Sequence, residues 1–181
     1  MTAVLISSLP GPQTQRLFGL SQSPAEFEPC LVALLEYMGG DIGRARECYG
    51  RIIPGGKEII RASYCENNKV GRIVGNKSVF VVEAGANFSR EFVDAPSDAY
   101  LPMLIAKHEE LWGVTAGHLT ASFGHAWPYA RSVHTTPSQV QLPTGAFICG
   151  DSRSESTVEK VWIDGNQAAK EVLAYLEIPV A

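Results

Sequence analysis

The sequence predicts an α+β fold: an antiparallel sheet backed by helices, followed by a strand-turn-helix at the C-terminal end. Three observations lead there. Short apolar runs follow one another between residues 30 and 84 with no helical period between them, which favours antiparallel pairing over βαβ crossovers. The period then switches to that of a helix between Ser97 and Gly113. It switches again after Ser156, behind one last short apolar run. With 181 residues and 45% hydrophobic side chains, the chain is long enough to bury a core.

Ala3-Val4-Leu5-Ile6 is an apolar run stopped by Leu9-Pro10-Gly11-Pro12, too short for a helix and expected as a buried strand. A buried strand needs neighbours, so it reads as an interior piece of something larger. Gln13 to Phe18 suits one or two helical turns. Cys30 to Tyr37 is ambiguous, because its Leu and Ala favour helix. Its shortness, Pro29 before it and Gly39-Gly40 after it favour strand, and strand is the expectation. Arg51 to Pro54, Ile59 to Cys65 and Val79 to Ala84 read as further strands, separated by Gly55-Gly56 and the polar tract Glu66-Asn67-Asn68-Lys69.

Tyr100, Leu101, Leu104, Ile105, His108, Leu111 and Trp112 recur at helical spacing, with Ser97 or Asp98 as the expected cap and Gly113 as the stop. His108 flanks that stripe and is expected to pack rather than react. Leu119 to Trp127 returns to strand character, Thr135 to Pro143 is a polar connection, and Ala146 to Cys149 is a short buried strand ended by Gly150-Asp151. Ser156-Thr157-Val158-Glu159 has the form of a capping box. The helix it opens runs through Val161, Trp162, Ala168 and Val172 to a stop at Pro179.

A net charge of −4 and a pI near 5.6, with Lys and Arg scattered, offer no face for nucleic acid. No apolar run nears the ~20 residues of a bilayer span, and the start of the chain lacks the basic flank of a signal peptide. A cytoplasmic protein without membrane contact is expected. Cys30, Cys48, Cys65 and Cys149 have no metal or redox spacing and read as reduced, packed thiols. His108, His118, His125 and His134 sit on different elements, so no metal site is expected.

The chemistry-bearing feature is the last strand-turn-helix. Gly150 allows close backbone approach, Asp151 can accept hydrogen bonds from sugar-type hydroxyls, and a helix start favours negative charge on an electron-rich ligand. The alternative reading is a plain turn whose Asp fixes the loop.

Gly150-Asp151, the loop, Ser156-Thr157-Val158-Glu159, Asp164-Gly165 and the Ala-rich helix resemble the C-terminal flavin motif of renalase-like and related amine-oxidase-type flavoproteins. Four more segments resemble the family in order: Ser8 to Gln13, Glu28-Pro29-Cys30, Tyr64 to Arg72, and His125-Ala126-Trp127-Pro128-Tyr129-Ala130. The resemblance implies FAD as cofactor, held by Gly150, Asp151 and the backbone around Val158, Glu159 and Lys160. It implies His125, Trp127 and Tyr129 as the wall facing a small-molecule substrate, amine- or dihydronicotinamide-like, that gives hydride to flavin. It divides the chain into a returning strand of an FAD-binding domain (1–12), a substrate-binding domain (13–135) and a C-terminal strand-turn-helix of the FAD-binding domain (136–181).

The G-x-G-x-x-G fingerprint that such proteins place on the FAD pyrophosphate does not occur in this sequence. The partner implied is therefore a separately encoded or missing N-terminal nucleotide-binding half. Lys160 and Val161 stand where the family usually has glycine and alanine; a lysine there could stabilise an anionic reduced ring. Two other readings remain. One is a non-catalytic split or degenerate flavoprotein half acting as a binding module. The other is a GDS-type hydrolase with Ser152 as nucleophile, which lacks a following histidine as base.

Overall fold

The computed structural model describes residues 3–38, 49–55, 57–72, 75–113, 119–135 and 140–177. Gly39-Gly40, Cys48, Gly56, His118 and Pro179 lie outside the described residues, as does part of the Thr135–Pro143 connection. The chain forms two compact units, one from residues 29–128 and one from residues 1–28 with 129–181.

The 29–128 unit is built on a five-stranded sheet with strand order β3-β4-β5-β2-β6. Its strands are β2 (Ala25–Met38), β3 (Gly50–Ile52), β4 (Ile60–Cys65), β5 (Lys77–Ala84) and β6 (Leu119–Thr135). The β2–β5, β3–β4 and β4–β5 pairs are antiparallel. The run from Cys30 to Tyr37 is a strand, as expected, because its alternate residues Leu31, Ala33, Leu35 and Tyr37 are all buried. β5 does the same with Phe80, Val82 and Ala84. In β4 a register shift between Ile60 and Ala62 lets both Ala62 and Ser63 turn inward before Cys65.

β2 and β6 run longer than the sequence suggested. Pro128 does not end β6, which lies at the edge of the sheet, the position where a strand tolerates proline. Pro29 lies before the first residue of β2 that pairs with β5, Val32.

Helices α2 (Ala86–Phe92) and α3 (Ser97–Trp112) belong to this unit. The α3 stripe is as expected: Tyr100, Leu104, His108 and Trp112 recur every fourth residue and are fully or almost fully buried. Its N-cap is Pro96, without a side-chain cap bond, rather than Ser97 or Asp98; Gly113 ends it in the left-handed conformation. The short α2 has no counterpart among the sequence expectations, although Phe88 and Phe92 stack at 4.8 Å at i, i+4 spacing. From it Ser89 Oγ accepts the Leu31 backbone N–H at 3.1 Å.

Buried at the centre of this core is a polar relay. The Trp112 indole N–H donates to Ser63 Oγ at 2.8 Å, and the same hydroxyl lies 3.1 Å from His108 Nδ1. His108 Nε2 is buried with no hydrogen-bond partner, and Tyr37, Phe80 and Trp112 surround the ring. Burial pushes the imidazole down to about 3.

The other unit holds β1 (Leu5–Ser7), α1 (Gly11–Phe18), β7 (Ala146–Ile148) and α4 (Val158–Tyr175). β1 and β7 pair in parallel as a two-stranded sheet. The expectation that the first strand is fully buried does not hold: Leu5 and Ile6 are about half exposed and only Ser7 is buried. Ser7 serves polar bonding instead, with its Oγ 2.9 Å from Thr14 Oγ1 and its carbonyl accepting the Cys149 N–H at 2.9 Å. Gly11 is required where α1 passes residue 25, since a Cβ there would lie 2.6 Å from the Ala25 carbonyl oxygen.

Cys30 and Cys65 are buried, Cys149 is partly buried, and all three are reduced. Among the described residues, no helix is long and apolar enough to cross a membrane.

Candidate functional site

Between β7 and α4 the chain makes a one-turn 3-10 helix, Gly150–Ser152. Gly150 adopts φ +84°, a left-handed conformation that glycine takes without strain. Its N–H donates to Asp164 Oδ2 at 2.8 Å, and its carbonyl accepts the N–H groups of Arg153 and Ser154 at 2.9 and 3.1 Å. Ser152 Oγ donates to the Leu9 carbonyl at 2.6 Å and is buried. A hydroxyl closed off from solvent, with its hydrogen on a backbone carbonyl, is not poised as a nucleophile, so the hydrolase reading of Ser152 loses its central residue.

The capping box is displaced by one residue. The N-cap of α4 is Thr157, whose Oγ1 accepts the Lys160 N–H at 3.3 Å, and Glu159 sits in the first turn. Ser156 is drawn away by long-range partners. Its Oγ donates to Asp151 Oδ2 at 3.1 Å, accepts the Ser132 N–H at 2.8 Å and lies 2.9 Å from Ser132 Oγ. Ser132 Oγ in turn donates to the Ser154 carbonyl at 3.1 Å. Ser156 therefore orients the Asp151 carboxylate instead of opening the helix.

A groove of about 480 Å³ runs past this turn, lined by Ala130, Asp151, Ser156, Thr157, Val158, Val161 and Trp162. One Asp151 oxygen is held by Ser156, and the other has no partner among the described residues. The N–H groups of Val158 and Glu159 likewise have no protein acceptor there, whereas that of Lys160 is committed to Thr157. Of the residues expected to hold the cofactor, Asp151 and Val158 thus line the groove together with the apolar Val161 and Trp162, whereas Gly150, Glu159 and Lys160 do not line it. Val158 and Trp162 are 89% and 70% exposed, a large apolar surface for a helix start. The Lys160 side chain is exposed.

Sequence reasoning missed a polar network behind the turn. Asp164 is buried; its Oδ1 lies 3.0 Å from Arg153 Nε, and Arg153 forms a bidentate pair with Glu171 at 2.6 and 2.7 Å. The spacing of Asp164 and Glu171, two turns apart on one face of α4, is the only sequence signal of it.

His125 and Trp127 belong to the 29–128 unit and Tyr129 to the other. Alternation along β6 sets their faces. Gly124 and Ala126 turn toward the core, where a Cβ on Gly124 would lie 2.9 Å from the Tyr100 hydroxyl. Phe123, His125 and Trp127 fall on the opposite, exposed side, with ring centroids 6.4 Å apart for Phe123–His125 and 4.6 Å for His125–Trp127. Phe123 extends the aromatic ladder beyond the residues read from the sequence. Tyr129 instead packs edge-on against Phe27 at 6.1 Å.

The ring-and-ribityl half of a flavin fits the groove by its chemistry. Asp151 offers an acceptor for ribityl hydroxyls, Val158 at the start of α4 lines the groove with its backbone N–H uncommitted, and Val158, Val161 and Trp162 are apolar.

No family model matches the sequence. Among solved structures, the chain is similar to a "putative protoporphyrinogen oxidase" from Exiguobacterium sp. 255-15, with a TM-score of 0.70 and 13% identity. The match covers 96% of this chain and 41% of that one. The chain therefore spans less than half the length of that protein, and the likeness shows that the two share a fold over this stretch.

Proposed function

We propose that the chain is the substrate-domain and ring-binding part of a flavin-dependent oxidoreductase acting in the cytoplasm. The observation that carries the reading is the free Asp151 oxygen on the same apolar groove as Val158, whose N–H at the start of α4 has no protein acceptor among the described residues. The shared fold with an oxidase of more than twice the length agrees with it.

FAD, when bound, supplies the chemistry by accepting hydride from the substrate and passing electrons to oxygen. Asp151 accepts hydrogen bonds from ribityl hydroxyls, and Ser156 holds its carboxylate for that task. The Val158 and Glu159 N–H groups and the start of α4 would favour negative charge on a bound ring. Lys160, one residue further on, would add a cation near the ring-binding end of the helix. His125, Trp127 and Tyr129 would bind a small amine- or dihydronicotinamide-like substrate. A nucleotide-binding half, carried elsewhere, holds the pyrophosphate and adenine.

Titration with riboflavin and with FAD, followed by flavin fluorescence and the absorbance band at about 450 nm, tests this reading. Saturable binding is expected, with similar dissociation constants for the two, because this chain holds only the part they share. Asp151→Asn should weaken both about tenfold, the equivalent of about 1.4 kcal/mol. Absence of saturable binding to either overturns the proposal. Bound flavin that is not reduced anaerobically by amines or dihydronicotinamides assigns the chain to the non-catalytic flavin-binding modules.

A further inference from the structure

We infer that Asp164, clamped by Arg153, is the positioning residue that sets the Gly150–Ser152 turn and thereby presents Asp151 to the ligand; this rests on the flavin reading above. Asp164 and Glu66 are the buried carboxylates among the described residues, and Asp164, two positions after Trp162 on α4, is not among the residues that line the groove. Both of its oxygens are used inward. Oδ2 takes the Gly150 N–H at 2.8 Å, and Oδ1 faces Arg153 Nε at 3.0 Å.

The geometry ties helix to turn at both ends of the arginine. Arg153 follows the turn directly, its own N–H donates to the Gly150 carbonyl at 2.9 Å, and its guanidinium grips Glu171 on α4 through two bonds. Gly150 is thereby held through its N–H by Asp164 and through its carbonyl by Arg153 and Ser154. A residue fixed on both sides of its α-carbon has little freedom in φ and ψ, and Asp151 is the next residue along. Ser152 fixes the far side of Asp151 by donating to the Leu9 carbonyl at 2.6 Å.

An anionic acceptor gives a shorter, stronger bond to a backbone N–H than a neutral one, and Arg153 offsets the penalty of burying its charge. The arrangement thus converts a glycine turn, otherwise free to rotate, into a rigid mount for a ligand-facing carboxylate.

The test is a double-mutant cycle on riboflavin affinity, with amide hydrogen exchange at Gly150 read in the same proteins. Asp164→Ala should weaken riboflavin at least tenfold and speed Gly150 exchange. Asp164→Asn keeps the shape and one oxygen acceptor and should stay within about threefold of the parent, whereas Asp164→Leu, which keeps the bulk without an acceptor, should lose as much as Asp164→Ala, an outcome that bulk packing does not predict. Asp151→Asn should weaken binding about tenfold in the parent but less than twofold in the Asp164→Ala background, because a misplaced carboxylate has little left to lose. If Asp164→Ala does not melt cooperatively, Asp164→Ser, shorter by one bond, carries the same comparison. Additive losses in the cycle, or unchanged affinity in folded Asp164→Ala or Asp164→Ser, overturn the inference while leaving flavin binding intact. A parent chain that binds no riboflavin overturns the flavin reading and the ligand role of Asp164 with it, even where Gly150 exchange still responds.

Discussion

Acidification from pH 7 to pH 5 should destabilise this chain through His108. The imidazole is fully buried, Tyr37 stacks on it at 5.8 Å and Phe80 meets it edge-on at 4.5 Å. Its Nδ1 shares the Ser63 hydroxyl with Trp112, and its Nε2 has no partner. In either neutral tautomer one ring nitrogen bonds to Ser63. A protonated ring would add an N–H cation with no acceptor in an apolar core, which is why burial holds the folded value down to about 3 against 6.5 when free.

Between those two pH values the unfolded chain binds a proton that the folded chain refuses. His108 therefore favours folding fully above about pH 6.5, and that advantage falls as pH drops toward 3. Each pH unit in the window is worth about 1.4 kcal/mol, so the step from pH 7 to pH 5 should remove about 2 kcal/mol. Urea denaturation at the two pH values, on the parent chain and on His108→Leu, isolates the effect because the variant lacks the group. Parallel losses in both proteins would refute the reasoning.

Ser63→Ala strips the shared acceptor from Trp112 and the partner from His108, and should cost about 2 to 4 kcal/mol in urea denaturation. Adding Trp112→Phe should give less than the sum of the single losses, since the indole N–H it would strand is then gone. Gly150→Ala places a β-carbon on a residue at φ +84°, a strain of about 1–2 kcal/mol, and should weaken riboflavin as well as lower the melting temperature. Riboflavin should quench the emission of Trp162, which lines the groove at 70% exposure; Trp162→Phe should remove most of that quench without abolishing binding. Ser152→Ala should leave chromogenic ester hydrolysis at background, unchanged from the parent, as expected of a buried hydroxyl bonded to Leu9.

The sequence by itself determined the elements whose signals are local. The fourfold recurrence of Tyr100, Leu104, His108 and Trp112, and the apolar alternation of β2 and β5, identify helix and strands because burial of one face follows from periodicity alone. The Gly150-Asp151 turn before a capped helix was legible from local turn and cap chemistry.

Tertiary structure decided what depends on partners distant along the chain. Ser156 and Thr157 are both good caps, and it is Ser132, 24 residues away, that takes Ser156 and leaves the helix to Thr157. The alternation of β6 defines two faces, but Tyr100 on α3 against Gly124 chooses which one is buried and leaves Phe123, His125 and Trp127 exposed. Asp164 reads as an ordinary helix residue until the fold carries Gly150 and Arg153 to within 3.0 Å of it. Periodicity registers burial along one element, whereas hydrogen-bond choice among competing polar groups is settled only when the fold brings their partners within reach.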